Sequence, residues 1–146
     1  SVRRDRRVMR QASTILAVST KGRGLLDITD DIARRLDATR IREGLLTLLC
    51  RHTSASLLTN ENAAPAVRQD LLRWLDSVAP EGPNYEHDDE GPDDMPAHLK
   101  ATLTGVSLSI PVAGGRMLLG TWQGIYLAEH RTRPHDREIA LHIFGE

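Results

Sequence analysis

Cys50 is the only cysteine in the 146 residues. One thiol excludes an intramolecular disulfide and the paired cysteines of structural zinc modules, so a reducing compartment is expected. Charge of one sign is missing too: 19 Lys and Arg stand against 20 Asp and Glu, a formal net charge of -1 with a pI near 6.6. That balance predicts no global attraction to nucleic acid or to anionic lipid. No stretch approaches the roughly 20 consecutive apolar residues of a membrane span, and the start has no apolar signal-peptide core. A soluble cytoplasmic protein with no nucleic-acid and no membrane partner is expected. Internal repeats and low-complexity segments are absent, and the length suits one domain able to bury a continuous core.

What is present divides into a basic arm over residues 1–12 and a single domain over 13–146. Arg3, Arg4, Arg6, Arg7 and Arg10 make the arm either a solvated tail or an anion-steering segment. Thr14 to Ser19 is β-rich, and Lys21-Gly22-Arg23-Gly24 is a turn that predicts a hairpin with Leu25 to Ile28. Thr29 or Asp30 can cap a helix ending near Arg40, with Ile32 and Leu36 on one face. The nearly unbroken apolar run Leu45 to Cys50 predicts a central strand buried on both faces. Asn62 and Pro65 open a second helix with Val67, Leu71, Trp74, Leu75 and Val78 on one stripe and Arg68, Asp70, Arg73 and Asp76 opposite. Pro80 to Pro96 reads as a long acidic loop and Ala97 to Leu103 as a short helix. Period-two alternation from Val106 to Val112, then 117–119, 124–128 and 139–143, predicts four successive strands. Strands gathered after two main helices argue for an α+β fold with mainly antiparallel sheets.

Three segments gather polar residues where the local pattern does not require them. Arg51-His52-Thr53-Ser54-Ala55-Ser56 through Asn60-Glu61-Asn62 joins the apolar strand to the second helix, a position where sites are often built. The acidic loop with Tyr85, His87 and Glu90 runs on to Asp94, Pro96 and His98. Gly120-Thr121-Trp122-Gln123-Gly124-Ile125-Tyr126 is followed by Glu129, His130 and Arg131. Imidazole with carboxylate is the ligand set of zinc or a similar divalent ion in a site with an open position. His87 and His98 fit no local zinc spacing, so folding has to assemble any shared site. Each feature has a plainer reading beside this one. A single histidine can be a hydrogen-bonded surface or core residue, Trp122 a packing anchor, Glu129 with Arg131 a surface charge pair, and Asn60 and Glu61 helix-start residues. His135, in a Pro-containing turn, and His142, on the last strand, take the plainer reading. Arg131 offers a planar, permanently charged fork suited to phosphate or pyrophosphate.

Four of these motifs, taken in order, resemble those of the YjbQ-like family, in register over nearly all of the chain after the arm. They are His52-Thr53-Ser54-Ala55-Ser56 with Asn60-Glu61-Asn62; Tyr85-x-His87; Asp94-Met95-Pro96-Ala97-His98-Leu99-Lys100; and Leu119 to Tyr126 with Glu129 and Arg131. The resemblance implies a compact α+β fold, usually a homotrimer, with a metal-binding motif in its active site. It also implies a thiamine-phosphate synthase-like transferase, coupling an aminopyrimidine pyrophosphate to a thiazole phosphate with release of pyrophosphate. On the matched positions it implies His52, His87 and His98 as ligands of a divalent ion, zinc being expected. Glu129, Glu61 and Asn60 would serve acid/base or ligand-supporting roles, and Arg131 would stabilise the leaving pyrophosphate. Thr53, Ser54, Tyr85, Asp94, Thr121, Trp122 and Gln123 would contact the small phosphorylated substrate. His130 stays outside the ligand trio. Two rivals use the same residues: a metal-dependent hydrolase of a small phosphorylated substrate, and a non-enzymatic trimeric module that binds such a metabolite.

Overall fold

Eight strands in two sheets and three helices make up the computed structural model, which describes residues 8–146. In chain order these are β1 (Arg10–Ser19), β2 (Gly24–Asp27), α1 (Thr29–Thr39), β3 (Gly44–Cys50), β4 (Ala55–Glu61), α2 (Pro65–Val78) and α3 (Asp94–Thr104). They are followed by β5 (Ser107–Ala113), β6 (Arg116–Met117), β7 (Gln123–Glu129) and β8 (Asp136–Gly145). The fold is α+β, and every strand pairing among the described residues is antiparallel. Arg3, Arg4, Arg6 and Arg7 of the expected arm lie outside the described residues, whereas Arg10 already opens β1 and donates to the Thr39 and Arg40 carbonyls.

A five-stranded sheet runs β1-β8-β3-β5-β6 and a three-stranded sheet runs β2-β7-β4. Inward side chains of both, with Ile32 and Leu36 of α1, form one continuous core. Alternation dictates the sorting: on β3 Leu46, Leu48 and Cys50 point in, and on β8 Ile139, Leu141 and Ile143 do. α2 and α3 cover the other face of the small sheet, so β7 is buried on both sides from Gly124 to Glu129. Gly44 and Gly145 face each other where β3 and β8 begin and end, so close that a Cβ on either would meet backbone at about 2 Å.

Several expectations change. The turn at Lys21 to Gly24 is no hairpin: β1 spends its hydrogen bonds on β8, and the corner carries the chain across to pair β2 with β7 in the other sheet. The central strand is buried on one face only, because Leu45 and Leu49, 46% and 44% exposed, lie on the uncovered outer face of the large sheet. The segment read as a connection before α2 contains β4, whose Ser, Thr and Asn residues hide its pairing with β7. α2 buries only Leu75 of its apolar stripe and leaves Trp74 and Val78 exposed. α3 starts at Asp94, three residues before the expected helix.

α1 ends with Arg40 in the left-handed region, φ 58°, the one described non-glycine residue with positive φ. An L side chain is strained there, whereas glycine is not. Arg40→Gly keeps the carbonyl that Arg10 grips and is expected to raise unfolding stability by about 1 kcal/mol, some 2–4 °C in Tm. Urea and thermal melts of the two proteins check this; an unchanged or lowered midpoint contradicts it.

Candidate metal centre

The polar centre starts from a buried ion pair. Glu129 closes β7 with the same inward parity as Ile125 and Leu127, and Arg137 opens β8 with the parity of Ile139, so the two meet at one end of the core. Arg137 Nε donates to Glu129 Oε1 at 2.9 Å and its terminal nitrogen to Oε2 at 2.5 Å. Thr20 Oγ1 adds a third bond at 2.7 Å and the Arg131 N–H a fourth at 3.2 Å. Burial alone would raise the Glu129 pKa, but these donors bring it below the ordinary glutamate value. The same Arg137 nitrogen donates to Ser54 Oγ at 3.0 Å and fixes the loop after β3.

Held at its backbone, Arg131 turns its guanidinium onto the acidic loop. Nε donates to Asp93 Oδ2 at 2.9 Å, one terminal nitrogen to Asp94 Oδ1 at 2.8 Å and the other to the Glu90 carbonyl at 2.9 Å. Gly91, φ 100°, makes the turn that aims that carbonyl; a Cβ there would lie 3.1 Å from Asp93. The Thr132 N–H and hydroxyl also reach Asp93. Burial opposes ionisation of Asp93, yet Arg131 and Thr132 bring its pKa down to about 2.

α3 begins at Asp94, and Pro96 is tolerated in its first turn. Residues four apart share a helix face, so Asp94 and His98 stand together. Asp94 Oδ2 lies 3.0 Å from His98 Nε2 and 2.8 Å from His87 Nε2. Glu90 Oε2 lies 3.4 Å from the same His87 nitrogen. His87, Glu90, Asp94 and His98 each offer an atom within 4.8 Å of the others. The tautomers make the group selective for a cation. His98 Nδ1 lies 2.9 Å from the Thr53 carbonyl, which only accepts, so Nδ1 carries the hydrogen. The neutral ring then presents a bare Nε2 lone pair to a carboxylate oxygen, an arrangement that needs a positive charge between them. A proton or a metal ion meets that need, and an N₂O₂ donor set of this kind suits zinc or a similar divalent ion. The Asp94 hydrogen bond raises the His87 pKa above 6.5, and burial of Asp94 is outweighed by His87, His98 and Arg131, which lower its own.

Folding gathers only part of the expected set. His87, His98, Asp94, Arg131 and Thr53 converge, with Ser54 and Glu129 directly behind them. His52 stays apart, because its Nε2 accepts the Glu138 N–H at 2.7 Å and has no lone pair to share. Asn60, Glu61, Thr121, Trp122 and Gln123 lie at the opposite end of β4 and β7: Glu61 pairs with Gln123 and Ala55 with Glu129. Six residue steps of ~3.3 Å separate those ends by about 20 Å. Glu61 accepts the Ala63 and Ala64 N–H groups just before α2, Asn60 accepts the Glu61 N–H, and Gln123 holds the Gly120 N–H. Trp122 is 64% exposed and packs no core. Tyr85 donates to the Pro80 carbonyl. Glu129 and Arg131 are fully engaged by protein partners, which removes Glu129 as a free base and makes Arg131 a clamp on the carboxylates.

Arg137, Glu90 and Asp93 were missing from the expected set. Asp94 and His98 stand four residues apart, a usable signal that an expected helix start at Ala97 conceals, whereas Glu90 precedes the helix and is brought in by the loop. Arg137 had none, since a charged residue at the head of a strand ordinarily faces solvent. Beside the centre, buried His130 Nε2 lies 2.8 Å from Ser56 Oγ, which lies 2.6 Å from Thr104 Oγ1. Burial, helped by the charge of Lys100, brings the His130 pKa down to about 4.

Residues 14–146 match the model of a family described as UPF0047 protein YjbQ-like. The UPF0047 protein YjbQ of Escherichia coli O157:H7 is 49% identical over 132 residues, which are 90% of this chain and 96% of that protein. A UPF0047 protein of Synechocystis is 46% identical over 138 residues, 94% of each. Among solved structures, a YbjQ-like protein of Sulfolobus solfataricus superposes with a TM-score of 0.88 at 27% identity, covering 95% of this chain and all of that one. A yjbq/upf0047 family protein of Clostridium acetobutylicum gives 0.83 at 35% identity, covering 89% and 98%.

The His130 environment predicts a pH dependence. The unfolded ring takes a proton near pH 6.5, but the folded ring stays neutral until about pH 4. Stability from this residue is therefore complete above pH 6.5 and lost as pH falls toward 4, by roughly 3 kcal/mol. Urea unfolding at pH 7, 6 and 5 should show the decline, and His130→Gln should remove most of it between pH 6.5 and 5. An equal slope in the variant assigns the decline elsewhere.

Proposed function

The chain belongs to the UPF0047 protein YjbQ-like family, and from that premise we propose that it holds a divalent cation, zinc by its donor chemistry, on His87, Asp94 and His98 with Glu90. The reading continues to a thiamine-phosphate synthase-like transfer, joining an aminopyrimidine pyrophosphate to a thiazole phosphate in the reducing cytoplasm. The observation that carries the cation is the pair of imidazole nitrogens facing one carboxylate oxygen, with the His98 tautomer fixed by the Thr53 carbonyl.

A bound divalent ion supplies positive charge for the phosphate oxygens of a leaving pyrophosphate. The chain's own residues prepare that place. Arg131 keeps Asp93 and Asp94 ionised and correctly turned, and the Thr53 carbonyl orients the His98 ring. Thr53, exposed and bonded to His98 through its carbonyl, would offer its hydroxyl to a phosphate oxygen. Glu129 and Arg137 position this frame from inside and exchange no proton.

Self-association as a homotrimer belongs to the same reading. The uncovered face of the large sheet supports it: Leu45 lies opposite Phe144, and Leu49 opposite Ala140, which is itself opposite Ile15. Ile15, Leu45, Leu49 and Phe144 are each more than 40% exposed, a contiguous apolar patch of the kind that marks interfaces.

Purified protein is expected to carry about one divalent ion per chain, with affinity rising with pH because the ion displaces the His87 proton. Asp94→Asn and His98→Ala should each weaken binding at least about tenfold, while His52→Ala retains it. Metal analysis with a chelator competition measures this, and full retention in Asp94→Asn and His98→Ala ends the cation reading. Thiamine phosphate formed by the metal-loaded protein and lost with chelator supports the transfer. Phosphate release without a new carbon–nitrogen bond replaces it with hydrolysis. Leu45→Glu is expected to lower the solution mass measured by light scattering.

A further inference from the structure

The polar face of α2 is not a uniform solvated surface: part of it forms one wall of an open groove. Pro65, Arg68, Leu72 and Asp76 stand on one helical stripe, and that stripe borders a groove of about 500 Å³ whose opposite wall is Arg23 and Leu25 at the start of β2. This volume falls in the range of small-molecule sites. Three guanidinium groups, Arg23, Arg68 and Arg73, line it with one carboxylate, Asp76.

The charges do not cancel within the groove. Asp76 Oδ1 accepts from Arg23 at 2.6 Å and from the buried Lys100 at 2.7 Å, so a single carboxylate already serves two cations. Among the described residues Arg73 pairs with Asp70, at 3.5 Å and with both side chains more than 70% exposed, a pairing that solvent screens. Arg68 is positioned in advance: it donates to the Tyr126 hydroxyl at 3.2 Å and lies 5.9 Å from the centroid of that buried ring. Tyr126 in turn donates to the Glu61 carbonyl. A planar fork held this way loses little freedom when an anion arrives. Between the guanidinium groups, Pro65, Leu25 and Leu72 give an apolar floor.

We propose that this groove is an anion site for a small molecule carrying a phosphate or diphosphate group beside an apolar part, distinct from the metal centre. Two or more negative charges match the uncancelled guanidinium groups, and the bidentate geometry of Arg suits phosphate oxygens. The proposal does not depend on a cation at His87 and His98.

Isothermal titration of the full chain with inorganic pyrophosphate tests it. Saturable binding is expected, weakened about tenfold by Arg73→Glu, which reverses one charge on an exposed side chain, and severalfold by Arg68→Lys, which keeps the charge and removes the fork. The arginine-dependent part of the binding should persist in His98→Ala, whose substitution can remove only binding at the metal centre. Absence of binding overturns the proposal, as does equal binding by Arg73→Glu and Arg68→Lys. Binding lost in His98→Ala but kept in the arginine variants also overturns it and puts the anion at the metal centre.

Discussion

The Glu129–Arg137 pair is the constraint from which the rest of the centre is built. It closes the end of the core between the two sheets, where both side chains are buried. Removing such charges from solvent costs more than a similar apolar packing would, so the pair is a poor source of stability. Its consequence is directional. One arm of the network runs from Glu129 through the Arg131 backbone to Asp93 and Asp94, and the other from Arg137 through Ser54 to the loop whose Thr53 carbonyl turns His98. Both halves of the candidate ligand set are referred to one buried point.

That reference point explains how a long acidic loop can be ordered. Residues 80–93 have almost no apolar side chains to bury, so packing cannot hold them. The loop is instead gripped by the Arg131 guanidinium, which reaches the Glu90 carbonyl, Asp93 and Asp94 together. A permanently charged planar fork can hold three acceptors at fixed angles, which a flexible ammonium cannot do equally well. The same engagement turns the Arg131 guanidinium onto the carboxylates.

The two-sheet architecture also separates what proximity in sequence joins. His52 and Thr53 are neighbours, yet only Thr53 faces the centre, because His52 turns back onto the β8 backbone. Asn60 and Glu61 follow a few residues later, but β4 is extended and carries them to its far end. Gln123 begins the strand that Glu129 finishes, with Trp122 just before it. An extended strand places its two ends far apart, while a helix places residues four apart side by side, which is why Asp94 and His98 meet.

Period-two and helical patterns by themselves determined the α+β class, α1, α2 and most strands, since burial of one face is a local demand that each segment must meet. The Asp94 and His98 pairing was also legible, given the correct helix start, because i, i+4 adjacency needs nothing beyond the helix. Tertiary structure alone decided that β1 joins β8 and not β2, that polar Ala55–Glu61 is a strand, and that His52 turns away while Glu90 joins. Those outcomes depend on partners distant in sequence, such as the Glu138 N–H for His52 and β8 for β1. Long-range hydrogen bonds and charge pairs leave no periodic trace, so no local pattern encodes them.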